Sequence, residues 1–223
     1  MKDPAAFIRA NTELMPPPLV PELHLHLASE VVPLWRKTEE ELQAEGIPPP
    51  FWAFAWAGGQ ALARYVLDHP DDVRGKRVLD FGAGSGLVGI AAMTAGARDV
   101  LCADTDRFAV AAIALNAAAN GVALSATAED VIGRRGAWDV ILVGDMCYER
   151  PLAERILAWL KDRVADGVTV LIGDPGRSYF PKSGVETLET YRVATTRELE
   201  DREIRETGVY RLLAEARPGA APT

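Results

Sequence analysis

Three short clusters in this sequence carry the residue types that chemistry needs. In the first, Asp80-Phe81-Gly82-Ala83-Gly84-Ser85-Gly86 follows the apolar pair Val78-Leu79. The spacing is D-x-G-x-G-x-G, a turn whose missing Cβ atoms let a ligand approach the backbone. Gly84, Gly86 and Gly89 also satisfy the overlapping pattern G-x-G-x-x-G, which by itself is weak. The carboxylate at position 80 weighs toward a ligand with a cationic end, since a pyrophosphate gains nothing from an acid there. In the second cluster, Asp104 and Thr105 close the run Leu101-Cys102-Ala103. A carboxylate at that place accepts the hydroxyls of a ribose, so the two clusters together predict a nucleoside site. The third is Asp145-Met146-Cys147-Tyr148, leaving the apolar run Ile141–Val143. It places an acid and a phenol where a second substrate would meet that ligand.

These residues need a scaffold, and the sequence supplies one from Gly75 onward. Short apolar runs alternate with helical segments: RVLDF, then 86–95; DVLCAD, then 107–119; ALSATA; WDVILVGD, then 151–165; VTVLIGD. Strand alternating with helix predicts a doubly wound, Rossmann-like α/β fold with a mostly parallel seven-stranded sheet. Two extended runs, 192–199 and 208–214, are expected to pair as an antiparallel C-terminal hairpin. The first 75 residues differ. A short helix is expected over 4–13, a half-buried strand where Leu23, Leu25 and Leu27 alternate with His24 and His26, and an exposed helix over 34–45. Pro48, Pro49 and Pro50 interrupt regular structure before FWAFAWAGGQ, and a helix is expected from Gln60 to Leu67. The organisation expected is an N-terminal extension over 1–75, a core over 76–215 and a disordered tail over 216–223.

Composition sets the outer bounds. The chain has 223 residues, 48% hydrophobic and 25% charged, with a net charge of −8. That length suits one α/β domain. The acidic balance argues against nucleic acid as a partner. Cys102 and Cys147 are too few for a disulfide scaffold or a thiolate zinc site, and no metal is expected. No run reaches membrane-spanning length, and the first residues lack the apolar stretch of a signal peptide. The reading is a cytoplasmic protein, expected to be monomeric.

The glycine loop preceded by Asp80 resembles the S-adenosylmethionine loop of class I methyltransferases. A nicotinamide nucleotide stays as the alternative that the overlapping glycine pattern allows. The D-x-x-Y form at 145–148 resembles the seven-β-strand protein methyltransferases, and departs from the (D/N)PP(Y/F) of nucleic-acid amino methyltransferases. FWAFAWAGGQALARYVLDHP, VLDFGAGSGLVGIAA, GDMCY and LIGDPGR together resemble the electron-transfer flavoprotein β-subunit lysine methyltransferases over roughly residues 20–213. The chain departs from their mitochondrial members in lacking a targeting sequence, which implies a bacterial, cytoplasmic member.

The resemblance implies a cofactor, S-adenosylmethionine, with S-adenosylhomocysteine as product, and a protein substrate with exposed lysines, the flavoprotein β subunit. Asp80 would face the cofactor's ammonium and sulfonium, with Gly82, Gly84 and Gly86 forming the loop. Asp104 and Thr105 would hold the ribose, and Glu129 and Asp130 would lie near the adenine. Asp145 would attract and orient the lysine amine, and Tyr148 would wall its channel. Trp52 and Trp56, four residues apart, would share a face if helical and cover the lysine and the sulfonium. Gly59 and Gln60 would bring an N–H and an amide to the methionine carboxylate. Arg177, in the Asp174-Pro175-Gly176-Arg177 turn, would meet the protein substrate. Other readings are an N-methyltransferase for a small molecule or nucleic acid, and a non-catalytic protein that binds S-adenosylmethionine.

Overall fold

The computed structural model describes residues 3–29, 47–195 and 204–214. Strands β3 (Arg77–Phe81), β4 (Asp99–Ala103), β5 (Ser125–Thr127), β6 (Val140–Gly144) and β7 (Thr169–Asp174) run parallel. With β8 (Val185–Ala194) and β9 (Ile204–Leu212) they form one seven-stranded sheet of order β5-β4-β3-β6-β7-β9-β8. β9 runs antiparallel to both β7 and β8. The chain steps outward from β3 to β4 and β5, then returns to place β6 on the other side of β3. The reversal opens a crevice at the carboxyl ends of β3 and β6, where doubly wound sheets take their ligands. Asp80 and Asp145 come to these two ends.

The central strands read as continuous apolar runs because both faces are covered. Val78, Leu79, Ile141, Leu142 and Leu171 are buried. Helices α2 (Ala57–Asp68), α3 (Leu87–Thr94), α4 (Arg107–Ala119) and α5 (Arg150–Ala165) cover the sheet. Three of these starts have a local cause. Gly86 enters α3 at φ 81, in the left-handed region that only glycine adopts without cost. The Asp106 carboxylate caps α4 by accepting the N–H of Phe108 at 2.8 Å. Pro151 opens α5, where its missing N–H costs nothing.

The residues before β3 close over this core. Helix α1 (Pro4–Asn11), strand β2 (Leu25–Leu27) and a 3₁₀ turn at Phe51–Ala53 lie against α4, and strand β1 (Glu13–Met15) pairs with β2. Phe7, Trp52 and Phe108 form an aromatic cluster: Phe7 meets Phe108 edge-on at 5.5 Å, and Trp52 stacks on it at 6.4 Å. Asn116 of α4, fully buried, joins this region to the glycine loop. Its Oδ1 accepts the His26 N–H at 2.7 Å and its Nδ2 donates to the Ser85 carbonyl at 2.8 Å.

Several boundaries differ from the sequence reading. The hairpin strands are Val185–Ala194 and Ile204–Leu212, earlier in the chain than expected. Glu186, Glu189 and Thr190 are polar because β8 is the outer strand of the sheet, and polarity masked its extended character. The helix Ala57–Asp68 begins before Gln60. The expected helix over 34–45 and the tail over 216–223 lie outside the described residues. Among the described residues, no helix is long and apolar enough to cross a membrane.

Candidate active site

The crevice is built from the strand ends inward. Gly82, Gly84 and Gly86 all have positive φ, at 66°, 50° and 81°, so the loop depends on glycine at each. Asp104 at the end of β4 pins this loop: its Oδ2 accepts the Gly84 N–H at 2.9 Å while its Oδ1 accepts the Asp106 N–H at 3.0 Å. Burial raises the Asp104 carboxyl above its ordinary range. Asp80 is buried, and both of its internal contacts fall on Oδ2, from the Gly89 N–H at 2.8 Å and the Cys102 thiol at 3.8 Å. A Cβ at Gly89 would strike the Cys102 sulfur. This third glycine therefore brings α3 close enough to β3 to bind the Asp80 carboxylate, which accounts for the overlapping glycine pattern. Burial pushes Asp80 up to about 7 against the pull of the Gly89 N–H, and Asp104 adds to the rise.

Two parts of the crevice meet at this loop. The wider part, about 360 Å³, is lined by Asp104, Thr105, Glu129, Asp130, Val131 and Ile132, with Pro48 and Pro49 along its rim. Glu129 pairs with Arg134 at 2.7 Å, and Asp130 pairs with Arg155. The narrower part lies among Asp80, Gly82, Gly84, Gly59, Trp56 and Asp145. These residues fit a nucleoside whose methionine end is cationic. Asp104 offers acceptors for ribose hydroxyls, and Val131 and Ile132 offer apolar surface for a base. Asp80 offers a carboxylate for an ammonium. A Cβ at Gly59 would meet nothing within 4 Å, so there is space beside it for a ligand, but its N–H is already donated to Asp145 and is not the donor expected for a methionine carboxylate.

Between these parts lies a pocket of about 220 Å³ with Phe51, Trp56, Met146 and Tyr148 as its walls and Asp145 and Arg177 at its polar end. Phe51 packs on Trp56 at 6.0 Å and on Tyr148 at 6.1 Å. Tyr148 remains 46% exposed, which places it at the mouth. Asp145 is buried and adopts φ 58, a left-handed conformation that carries a backbone cost but that Asp tolerates better than most residues. Its Oδ2 accepts the Gly59 N–H at 2.9 Å, and its Oδ1 accepts from Arg177 Nε at 3.1 Å and Nη2 at 2.7 Å. The Arg177 guanidinium also lies 5.7 Å from the centre of the Trp56 ring.

The structure therefore gathers Trp56, Gly59, Asp80, Gly82, Gly84, Asp104, Thr105, Glu129, Asp130, Asp145, Tyr148 and Arg177 around one crevice, and Gly86 carries the loop into α3. Two expected residues stand elsewhere. Trp52 is 1% exposed and stacked on Phe108 in the aromatic cluster. It shares no helical face with Trp56, because the 3₁₀ turn ends at Ala53 and Trp56 caps the next helix. Only the Trp52 backbone comes near Gly84. Gln60 is buried with its amide already used: Oε1 accepts the Leu19 N–H at 3.1 Å, and Nε2 donates to the Ala55 carbonyl at 2.6 Å. It holds the extension in place and does not reach the crevice. Arg177 meets Asp145 inside the pocket.

Phe51, Met146, Val131, Ile132, Arg155 and the Pro48-Pro49 rim were not legible as site residues. Met146 fills the space a Cβ at Gly82 would need, so that glycine has a packing role as well as a conformational one. Cys147 is buried, and burial together with Asp174 and Asp145 pushes its thiol up to about 12. It therefore stays in the thiol form at neutral pH.

Residues 60–162 match the model of a family described as ribosomal protein L11 methyltransferase (PrmA). The chain is 44% identical over 180 residues to an electron transfer flavoprotein beta subunit lysine methyltransferase of Xenopus laevis, covering 79% of this chain and 72% of that one. The corresponding protein of Homo sapiens is 39% identical over 185 residues, covering 81% and 70%. A homolog from Caenorhabditis elegans is 34% identical over 211 residues, covering 86% and 84%. Among solved structures, magnesium protoporphyrin IX methyltransferase from Synechocystis with bound SAM superposes with a TM-score of 0.52 at 19% identity, over 71% of this chain and 80% of that one. A ribosomal protein L11 methylase from Lactobacillus delbrueckii gives 0.50 at 20% identity, over 73% and 81%. At these identities the two structures speak for the fold.

Proposed function

The chain belongs to the electron transfer flavoprotein beta subunit lysine methyltransferase family and is a SAM-dependent protein-lysine methyltransferase; on that premise we propose that its substrate is the electron transfer flavoprotein beta subunit and that Asp145 and Tyr148 form the lysine channel. One observation carries the channel: the pocket that holds Asp145 is walled by Phe51, Trp56 and Tyr148 and opens at Gly82 into the nucleoside crevice. A side chain with a long apolar stem and a nitrogen tip fits such a shape, its stem against aromatic rings and its tip at a carboxylate.

S-adenosylmethionine, when bound, supplies a methyl group on a sulfonium and leaves as S-adenosylhomocysteine. The residues proposed to hold it are Asp80 at the ammonium, the glycine loop at the methionine end, Asp104 at the ribose, and Val131 and Ile132 at the base. A free lysine amine has a pKa of about 10.4 and is mostly the unreactive ammonium at neutral pH. It gives its proton to water before its lone pair can attack. Asp145 then accepts an amine N–H and turns the nitrogen lone pair toward the methyl. Phe51, Trp56 and Tyr148 exclude water and fix the stem. Acceleration by such a site comes from alignment and fixed charge.

The test is to incubate the purified chain with the beta subunit and the cofactor and to map methyl groups by mass spectrometry. Methylated lysines on the beta subunit support the proposal. Methyl transfer confined to RNA or to small metabolites of a lysate would overturn it.

A further inference from the structure

We propose that Arg177 is a positioning residue that neutralises Asp145, so that the target lysine rests in the channel as the neutral amine and not as the ammonium ion. This inference rests on the channel described under the proposed function.

The geometry is built for the pairing. Asp174, fully buried at the end of β7, accepts the N–H groups of Gly176 and Arg177 on one oxygen, each at 2.7 Å. The turn so fixed aims the guanidinium at Asp145, where two of its N–H groups meet Oδ1. Trp56 covers the cation. The two side chains are only 17% and 10% exposed, so solvent screens the pair weakly. Arginine suits the place better than lysine because its fork binds two ways and its charge never titrates.

Among the described residues that line the channel, Asp145 and Arg177 are the ionised ones. A carboxylate alone at that spot would hold the incoming lysine as an ion pair. It would raise the amine pKa and lock up the lone pair that must attack. With Arg177 in place Asp145 no longer presents a bare negative charge to the amine, and the sulfonium of the cofactor adds a positive one beside it. That charge favours loss of the amine proton. The other titratable groups facing this region come from every neighbouring element. Tyr148 and Cys147 lie on the loop after β6, and burial raises both, keeping them neutral in the working range. Glu149 follows Tyr148. Asp174 lies behind the loop after β7 at about 6, Tyr210 of β9 faces it, and Asp80 at the end of β3 lies at about 7. Asp174 is largely ionised through the tested range, and Asp80 titrates at its lower end in wild type and variants alike, so it cancels from their comparison.

The test compares kcat and KM for methylation of the beta subunit by the wild-type chain, R177Q and R177K from about pH 7 to pH 10. R177Q should keep or lower KM, because a bare Asp145 binds the ammonium well. Its kcat should fall about tenfold near neutrality and recover at high pH, as a rise of about one unit in the apparent amine pKa requires. R177K should keep the wild-type profile. Calorimetric titration of the beta subunit into the chain loaded with S-adenosylhomocysteine should show R177Q binding at least as tightly as wild type. A parallel loss at every pH with a raised KM would make Arg177 a structural residue and overturn the inference. So would an upward pKa shift in R177K, where the charge is kept. If the wild-type chain methylates no lysine, the channel falls and the inference with it. Wild-type methylation with superimposable R177Q and wild-type profiles would sink the inference alone.

Discussion

The Gly59 N–H donates to Asp145 Oδ2 at 2.9 Å. That one bond joins the first turn of α2 to the end of β6, so the segment before the parallel sheet helps to hold the residue proposed to orient the lysine amine. Gly58 makes the approach possible. A Cβ there would run into the Gly173 carbonyl and the Asp145 carboxylate.

Gly58→Ala should therefore be destabilising by about 1–3 kcal/mol, the usual cost of overpacking, and should also displace Asp145. Thermal unfolding and the methylation rate, measured on the same preparation, check both effects. A stable variant with normal turnover would contradict the close approach.

Asp80 gives a pH prediction with a definite sign. Its carboxyl is raised from 3.8 to about 7 by burial. The stability tied to its neutral form is present below the unfolded value and lost as pH rises through the folded value. Asp80→Asn should thus melt at a higher temperature than wild type near pH 8 without cofactor, and the difference should vanish below about pH 4. In the role proposed for Asp80 the cofactor's ammonium is held by the ionised carboxylate, so wild-type affinity should fall as pH drops below about 7. Calorimetry across that range reads it directly, and an affinity independent of pH would refute this role of Asp80.

Trp52 and Trp56 should separate cleanly. Trp52 packs in the aromatic cluster, so Trp52→Ala should cost about 3–5 kcal/mol of stability and act on turnover only through folding. Trp56 is half-buried and lines the pocket. Trp56→Ala should lower turnover with a modest loss of stability. Denaturant unfolding and kinetics on both variants test the contrast.

At Tyr148 the ring does the work proposed for it, through its contact with Phe51. Tyr148→Phe should retain most activity, and Tyr148→Ala should lose much of it, chiefly through a raised KM for the protein substrate. A large loss in the Phe variant would instead assign the hydroxyl a part in the reaction.

Much of this was legible in the amino-acid sequence because local chemistry and global fold agree there. The alternation after Gly75 and the glycine spacing after Asp80 are backbone requirements, and backbone requirements leave a trace in residue type. What was not legible depends on long-range packing. Trp52 and Trp56 look alike in sequence, and only the extended break between the 3₁₀ turn and the next helix sends one to the core and the other to the pocket. Gln60 looks like a ligand-binding amide until Leu19 and Ala55 claim both its ends. Arg177 was expected to face the partner protein. Its pairing with Asp145 depends on β6 and β7 lying side by side, which no local pattern near residue 177 reports.

The most direct test of the account is Asp145→Asn with the beta subunit as substrate. Asparagine tolerates the positive φ of this position and keeps the shape of the side chain while removing its charge. The variant should bind S-adenosylmethionine as wild type does by calorimetry, and its methylation of lysine, followed by mass spectrometry, should fall by about a hundredfold or more, because Arg177 is left an unpaired buried cation that repels the incoming lysine. Normal methylation by this variant would show that the reaction does not run through Asp145.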